Sequence, residues 1–203
     1  LNKVIESQAK LIAQWMNVGF IHGVMNTDNT SISGQTIDYG PCAFMNNFDP
    51  NTVYSFIDVY GRYSYGNQPK IMLWNLSKFA ESISFLINEK KEEANKVILN
   101  SLSKFPKLFD DFWTSAISKK LGLFKNMKEN KKLIEKFLEI MFEQKTDFTL
   151  TFRALSESIE NDKKKLKFFS LFKKNKHITN WYNDWSQRLE KGKYSKEKIV
   201  EKM

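Results

Sequence analysis

Apolar residues recur at helical spacing along almost the whole chain, and the pattern fails at length only between Gly19 and Pro69. In NKVIESQAKLIAQWMNVGF, Val4, Ile5, Leu11, Ile12, Trp15 and Met16 form one helical stripe, with Gly19 placed as a C-terminal cap. Pro69 suits the first turn of a second helix carrying Met72, Leu76, Phe79, Ala80, Ile83 and Leu86. Helical periodicity returns over Ala94 to Leu102, over Phe109 to Leu121 with Gly122 behind it, and over Leu133 to Met141. Asp147 is placed to cap a helix through Phe152, Leu155 and Ile159, and a last helix holds Trp181, Trp185 and Leu189. This spacing predicts a mainly α fold in one domain, residues 1–190, followed by a solvated charged tail, 191–203.

Composition sets the class. At 203 residues, 41% of them hydrophobic, the chain can bury a sizeable core. No apolar run approaches the roughly 18 residues a bilayer requires, and LNKVIESQAK has no signal-peptide core, so a cytoplasmic protein without membrane attachment is expected. Cys42 is the lone cysteine, which excludes an internal disulfide and a cysteine-based zinc site. The formal charge of +9 raises nucleic-acid binding. Its source argues against that: the arginines are Arg62, Arg153 and Arg188 alone, and the surplus is lysine spread over helix faces.

The interruption begins with FIHGVMNTDNTSISGQTIDYGP, residues 20–41. SIS-GQ-TID reads as two short strands joined by Gly34-Gln35, glycine first as in a type II′ turn. Pairing Ser33 with Thr36 sets Ile32 opposite Ile37, and Ser31 opposite Asp38 on the other face. Asn29 shares that second face, so the predicted β-hairpin brings Asn29 and Asp38 together. An amide oxygen beside a carboxylate suits a hard cation such as magnesium, which takes one or two carboxylates and completes its shell with water and phosphate oxygens. A polar hairpin in which the two residues only cap turns is the alternative, and spacing leaves it open.

HGVMNTDN followed by IDYGP resembles the catalytic loop and metal-binding turn of a protein-kinase-like fold. His22 matches its first histidine, Asn29 its metal-binding asparagine and Asp38 the aspartate of its DFG turn; Val24 stands where the catalytic aspartate would be. With GFIHGVMNTDN, TIDYGP, GRYSYGNQP and DFTLTFRALS, the chain resembles the selenoprotein O family, also called YdiU or UPF0061, from its first helix to about Leu155. The resemblance implies the C-terminal lobe of a pseudokinase fold, with the N-terminal lobe that grips ATP phosphates absent from this sequence. It implies transfer of AMP from ATP to serine, threonine or tyrosine hydroxyls of proteins, with magnesium or manganese. On that analogy Asp28 is the catalytic proton acceptor, Asn29 and Asp38 are metal ligands, and Asp38 also contacts ATP.

The remaining residues have structural readings. His22 is expected to brace its turn by hydrogen bonding, Cys42 to act as a small hydrophobe, and the five tryptophans to fill core positions. Three rival functions remain: a truncated remnant or half-enzyme that needs its N-terminal lobe in trans, an ordinary phosphotransferase, which Val24 disfavours, and a basic helical module for nucleic acid.

Overall fold

The structure is a computed structural model that describes residues 1–124 and 127–192. Residues 193–203, most of the expected charged tail, lie outside the described residues. The described chain divides into two compact units, residues 1–44 with 50–113, and residues 45–49 with 114 onward.

In the first unit, α1 (Asn2–Asn17) packs on α2 (Gln68–Ser82), and both touch α4 (Lys91–Leu102); a single helical turn, α3 (Ser84–Ile87), joins the last two. The stripe read from the sequence is the buried one. Ile5, Ile12 and Met16 of α1 meet a core that also holds Ile71, Met72 and Leu76 of α2 and Ile98 of α4. Each such side chain contributes about 1.5 to 3 kcal/mol on burial. α1 stops where expected, with Gly19 in the left-handed region at φ 73°. Pro69 lies in the first turn of α2, where its missing N–H has no helical partner to lose.

The predicted hairpin does not form. Residues 31–38 contain no strand, and Ile32 and Ile37, expected to face each other on an apolar side, are both exposed. The sheet is instead a pair of two-residue strands, β1 (Phe20–Ile21) antiparallel to β2 (Ala43–Phe44), with Phe20 opposite Phe44 and Ile21 opposite Ala43.

The second unit takes the end of α5 (Phe105–Lys120), then α6 (Met127–Gln144), α7 (Phe148–Glu157), α8 (Asp162–Phe169) and α9 (Asn175–Lys191). Asp147 caps α7 as the sequence suggested, accepting from the Leu150 N–H at 2.7 Å. Aromatic rings fill the interior: Phe137 stacks on Trp181 with centroids 4.0 Å apart, and Trp181 on Trp185 at 5.9 Å. Both indoles donate to backbone carbonyls, Trp181 to Leu133 and Trp185 to Leu121, each at 2.8 Å, so burial leaves neither N–H unpaired. Residues 45–49 join this unit through Asn46 O, which accepts from the Phe148 N–H at 2.7 Å.

Trp15, Trp181 and Trp185 are core residues as expected, whereas Trp74 is 42% exposed. Ion pairs such as Lys78–Glu81 at 2.9 Å lie on exposed faces and contribute at most about 1 kcal/mol each. Packing holds both units. No helix among the described residues is long and apolar enough to cross a membrane.

Candidate functional site

The loop after β1 is held from several directions. Gln68, fully buried at the start of α2, accepts from the His22 N–H and donates to the Phe20 carbonyl, both at 3.1 Å. Its amide thereby stands in for a strand along one edge of β1. Tyr65 donates its hydroxyl to Met16 O at 2.6 Å and fixes the end of α1; burial pushes its phenol well above the usual range. Further along, the buried Asn75 of α2 donates to Met25 O at 3.1 Å and to Thr30 Oγ1 at 2.8 Å. Tyr63 donates to Asn26 Oδ1 at 2.5 Å.

The segment that failed to form a hairpin packs against α1. Gln8 donates to Ser31 O at 2.5 Å, and the Trp15 indole N–H donates to Thr36 Oγ1 at 2.8 Å. Gly34 adopts φ 73°, and a Cβ there would lie 2.8 Å from Ser7 Cβ. The glycine therefore serves close approach to α1 rather than a hairpin turn.

Two contacts bring the halves of the motif side by side. His22 is buried, and its Nε2 bonds Ile37 O at 2.8 Å, one residue before Asp38. The carbonyl only accepts, so the ring carries its proton on Nε2. This is the brace expected of His22, reinforced by stacking on Trp15 at 5.3 Å between centroids. Gly23, at φ 85°, lies where an added Cβ would meet Pro41 Cγ at 3.0 Å and Pro41 O at 3.1 Å. His22 and Gly23, at the start of the loop that leads to Asp28, thus lie beside Ile37 and Pro41, which flank Asp38.

Asp28 and Asn29 occupy one 3-10 turn, Thr27–Asn29, with the Asp28 side chain exposed. Asn29 donates its amide NH2 to Val24 O at 3.1 Å, which orients its Oδ1 the other way as an acceptor. Asp38 takes φ 54°, unusual for a residue other than glycine, and its carbonyl accepts from the Gly40 N–H at 2.8 Å. Its side chain is exposed. No ion pair or hydrogen bond among the described residues occupies the Asp28 or Asp38 carboxylate or joins Asn29 to Asp38.

The oxygen donors fit a hard cation: one amide oxygen and one or two carboxylates, with no competing cationic side chain. Among the described residues no cluster of three or more His, Cys, Asp or Glu is placed to hold a metal. A cation here would complete its shell with water and phosphate oxygens.

The residues that shape this site and that sequence reasoning passed over are Gln8, Gln68 and Asn75. A signal was present for two of them, since Gln8 and Asn75 are polar residues inserted in apolar helical stripes. Arg62 places its guanidinium 4.9 Å from the Trp74 ring and 5.7 Å from Tyr63.

Comparison with known proteins adds the following. The model of a family described as protein adenylyltransferase SelO matches residues 1–203. A protein nucleotidyltransferase YdiU of Clostridium botulinum (strain Eklund 17B / Type B) is 49% identical over 197 residues, covering 97% of this chain and 39% of the relative. The protein of the same name from Bacillus cereus (strain AH820) is 48% identical over 204 residues, covering 100% and 40%. That of Bacillus mycoides (strain KBAB4) is 49% identical over 197 residues. The chain thus spans about two fifths of the length of the curated relatives it matches.

Proposed function

The chain belongs to the SelO family of protein adenylyltransferases, and from that premise we propose that it forms the part of a kinase-like C-terminal lobe that transfers AMP from ATP to serine, threonine or tyrosine hydroxyls of proteins. The observation that supports this reading is that the start of the Asp28–Asn29 loop lies against the residues flanking Asp38, through His22–Ile37 and Gly23–Pro41.

In the transfer, a protein hydroxyl oxygen forms a bond to the α-phosphorus while the bond from that phosphorus to the bridging oxygen breaks and pyrophosphate departs. Asp28 orients the incoming hydroxyl and accepts its proton; an exposed, unpaired carboxylate on a fixed turn suits that role. Asn29 Oδ1 and the Asp38 carboxylate would hold magnesium, or manganese, and Asp38 would also contact ATP. The cation, when bound, neutralises charge developing on phosphate oxygens. Val24, at the position of a kinase's catalytic aspartate, favours this chemistry over phosphoryl transfer. The setting is the cytoplasm, where ATP is the common nucleotide.

One observation favours a second reading, a half-enzyme. Between Phe20 and Pro41 there is no lysine or arginine to grip a triphosphate. Under that reading the grip comes from a separate lobe, in trans.

The test supplies the chain with magnesium, an acceptor protein mixture, and ATP labelled at the α- or the γ-phosphate. Transfer of α-label alone, lost in Asp38→Ala, supports the reading; transfer of γ-label overturns it. Transfer that appears only when the N-terminal portion of a relative is added selects the half-enzyme.

A further inference from the structure

The first unit displays an apolar surface left exposed among the described residues. Phe56 is 98% exposed, Ile57 80%, Val59 79% and Tyr60 95%, four large apolar side chains within five residues. Isolated exposed apolar residues are ordinary, but a contiguous set marks an interaction site. The loop that bears them is also ordered. Asp58 accepts from the Arg62 N–H on one carboxylate oxygen at 2.8 Å and from the Tyr63 N–H on the other at 2.7 Å. The Asp58 N–H donates to Ser55 O at 3.1 Å, and the Ser64 N–H to Gly61 O at 3.2 Å.

Charge indicates what this surface meets. Arg62 and Lys70 are exposed and border a groove of about 520 Å³ with Ile57, Val59 and Tyr60. Neither cation has an acidic partner among the described residues. Asp58, the one carboxylate in the loop, is engaged by backbone N–H groups on both oxygens. The surface is therefore apolar at its centre and cationic at its rim, complementary to an apolar side chain flanked by carboxylates. Position completes the case: Tyr63, the residue after Arg62, hydrogen-bonds Asn26, two residues before Asp28.

We infer that the loop from Tyr54 to Arg62 is where the acceptor polypeptide docks, and that it selects hydroxyls lying close in sequence to an aliphatic or aromatic residue and to one or more carboxylates. The inference rests on the adenylyl-transfer reading of the adjoining loop.

The test uses the chain without nucleotide, and short fluorescein-labelled peptides carrying a serine beside leucine and glutamate, followed by fluorescence anisotropy. Control peptides replace leucine with serine or glutamate with lysine. The double variant Ile57→Ser/Val59→Ser changes exposed side chains only, and circular dichroism checks that its helices are intact. Binding of the leucine–glutamate peptide is expected to weaken about tenfold in this variant, the size of losing two apolar contacts. Lys70→Glu is expected to weaken binding of that peptide and to strengthen binding of the lysine peptide. Equal binding of all peptides, or variants that bind as the parent does, would overturn the inference. So would a chain that self-associates through this surface, becomes monomeric in the double variant and binds no peptide. Transfer of α-label to the same peptides is scored separately. Peptide preference with no label transfer, both for the chain alone and with the N-terminal portion of a relative added, removes the adenylyl-transfer reading and leaves the docking surface; label transfer without preference does the reverse.

Discussion

Replacing Gln68 with alanine tests how the site loop is held. The Gln68 amide supplies the partner of two buried backbone groups, the His22 N–H and the Phe20 carbonyl, at 3.1 Å each. Truncation leaves both without a partner, and a buried unsatisfied group costs about 1 to 3 kcal/mol, so about 2 to 6 kcal/mol is expected. That is a large share of the 5 to 15 kcal/mol that stabilises a typical domain. Gln68→Glu is the finer probe. An ionised glutamate still accepts from His22 but opposes its carboxylate to the Phe20 carbonyl, whereas a protonated one restores a donor. Folding then raises the glutamate pKa, so the penalty is present above the folded pKa and is relieved as pH falls through it. The assay is urea denaturation read by pulsed hydrogen exchange on peptides from residues 5–25, because each compact unit can report its own transition. A Gln68→Ala shift below about 0.5 kcal/mol, the size of an ordinary surface change, would refute the clamp. So would a Gln68→Glu stability that tracks the parent at every pH.

Two further outcomes follow from the geometry. Gly23→Ala introduces a Cβ 3.0 Å from Pro41 Cγ and 3.1 Å from Pro41 O at φ 85°, so a loss of at least about 1 to 2 kcal/mol is expected, with faster hydrogen exchange at residues 37–41. In the second unit, burial lowers Lys120 from 10.5 to about 8, its ammonium lying 4.7 Å from the Phe148 ring and 4.4 Å from Phe152. Between pH 8 and 10.5 the unfolded chain holds a proton there that the folded chain does not, so stability rises with pH across that window; below pH 8 the penalty is constant. Lys120→Met is expected to abolish this rise and to stabilise the unit by about 1 to 3 kcal/mol at pH 7, measured by denaturation at several pH values beside the parent.

What the sequence revealed was local. α1, α2 and α7 were legible because apolar periodicity and their end signals, Gly19, Pro69 and Asp147, act within a turn or two. The hairpin misled because SISGQTID alternates as a strand should, yet Gln8, Trp15 and His22, 15 to 23 residues upstream, take the bonds its own strands would have shared. A short polar segment yields to such tertiary partners. The role of His22 was readable from its motif. That of Gln68 was not, and Asn75, though marked as a polar residue in an apolar stripe, did not reveal its partner: 46 residues separate Gln68 from His22 and 50 separate Asn75 from Met25, and nothing in the intervening chain specifies either meeting. Nor did composition mark the division into two units, since no Pro-, Gly- or Ser-rich linker separates them and residues 45–49 cross from one stretch of chain to the other.

The central claim is that the Asp28–Asn29 turn and the Asp38 turn make one nucleotide–metal site. Electron paramagnetic resonance of Mn(II) with ATP measures this directly in the parent, Asn29→Ala, Asp38→Ala and the double variant. One shared site requires each single change to weaken Mn–ATP binding by about ten- to a hundredfold, with the double change less than additive. Parental affinity in both single variants would contradict it.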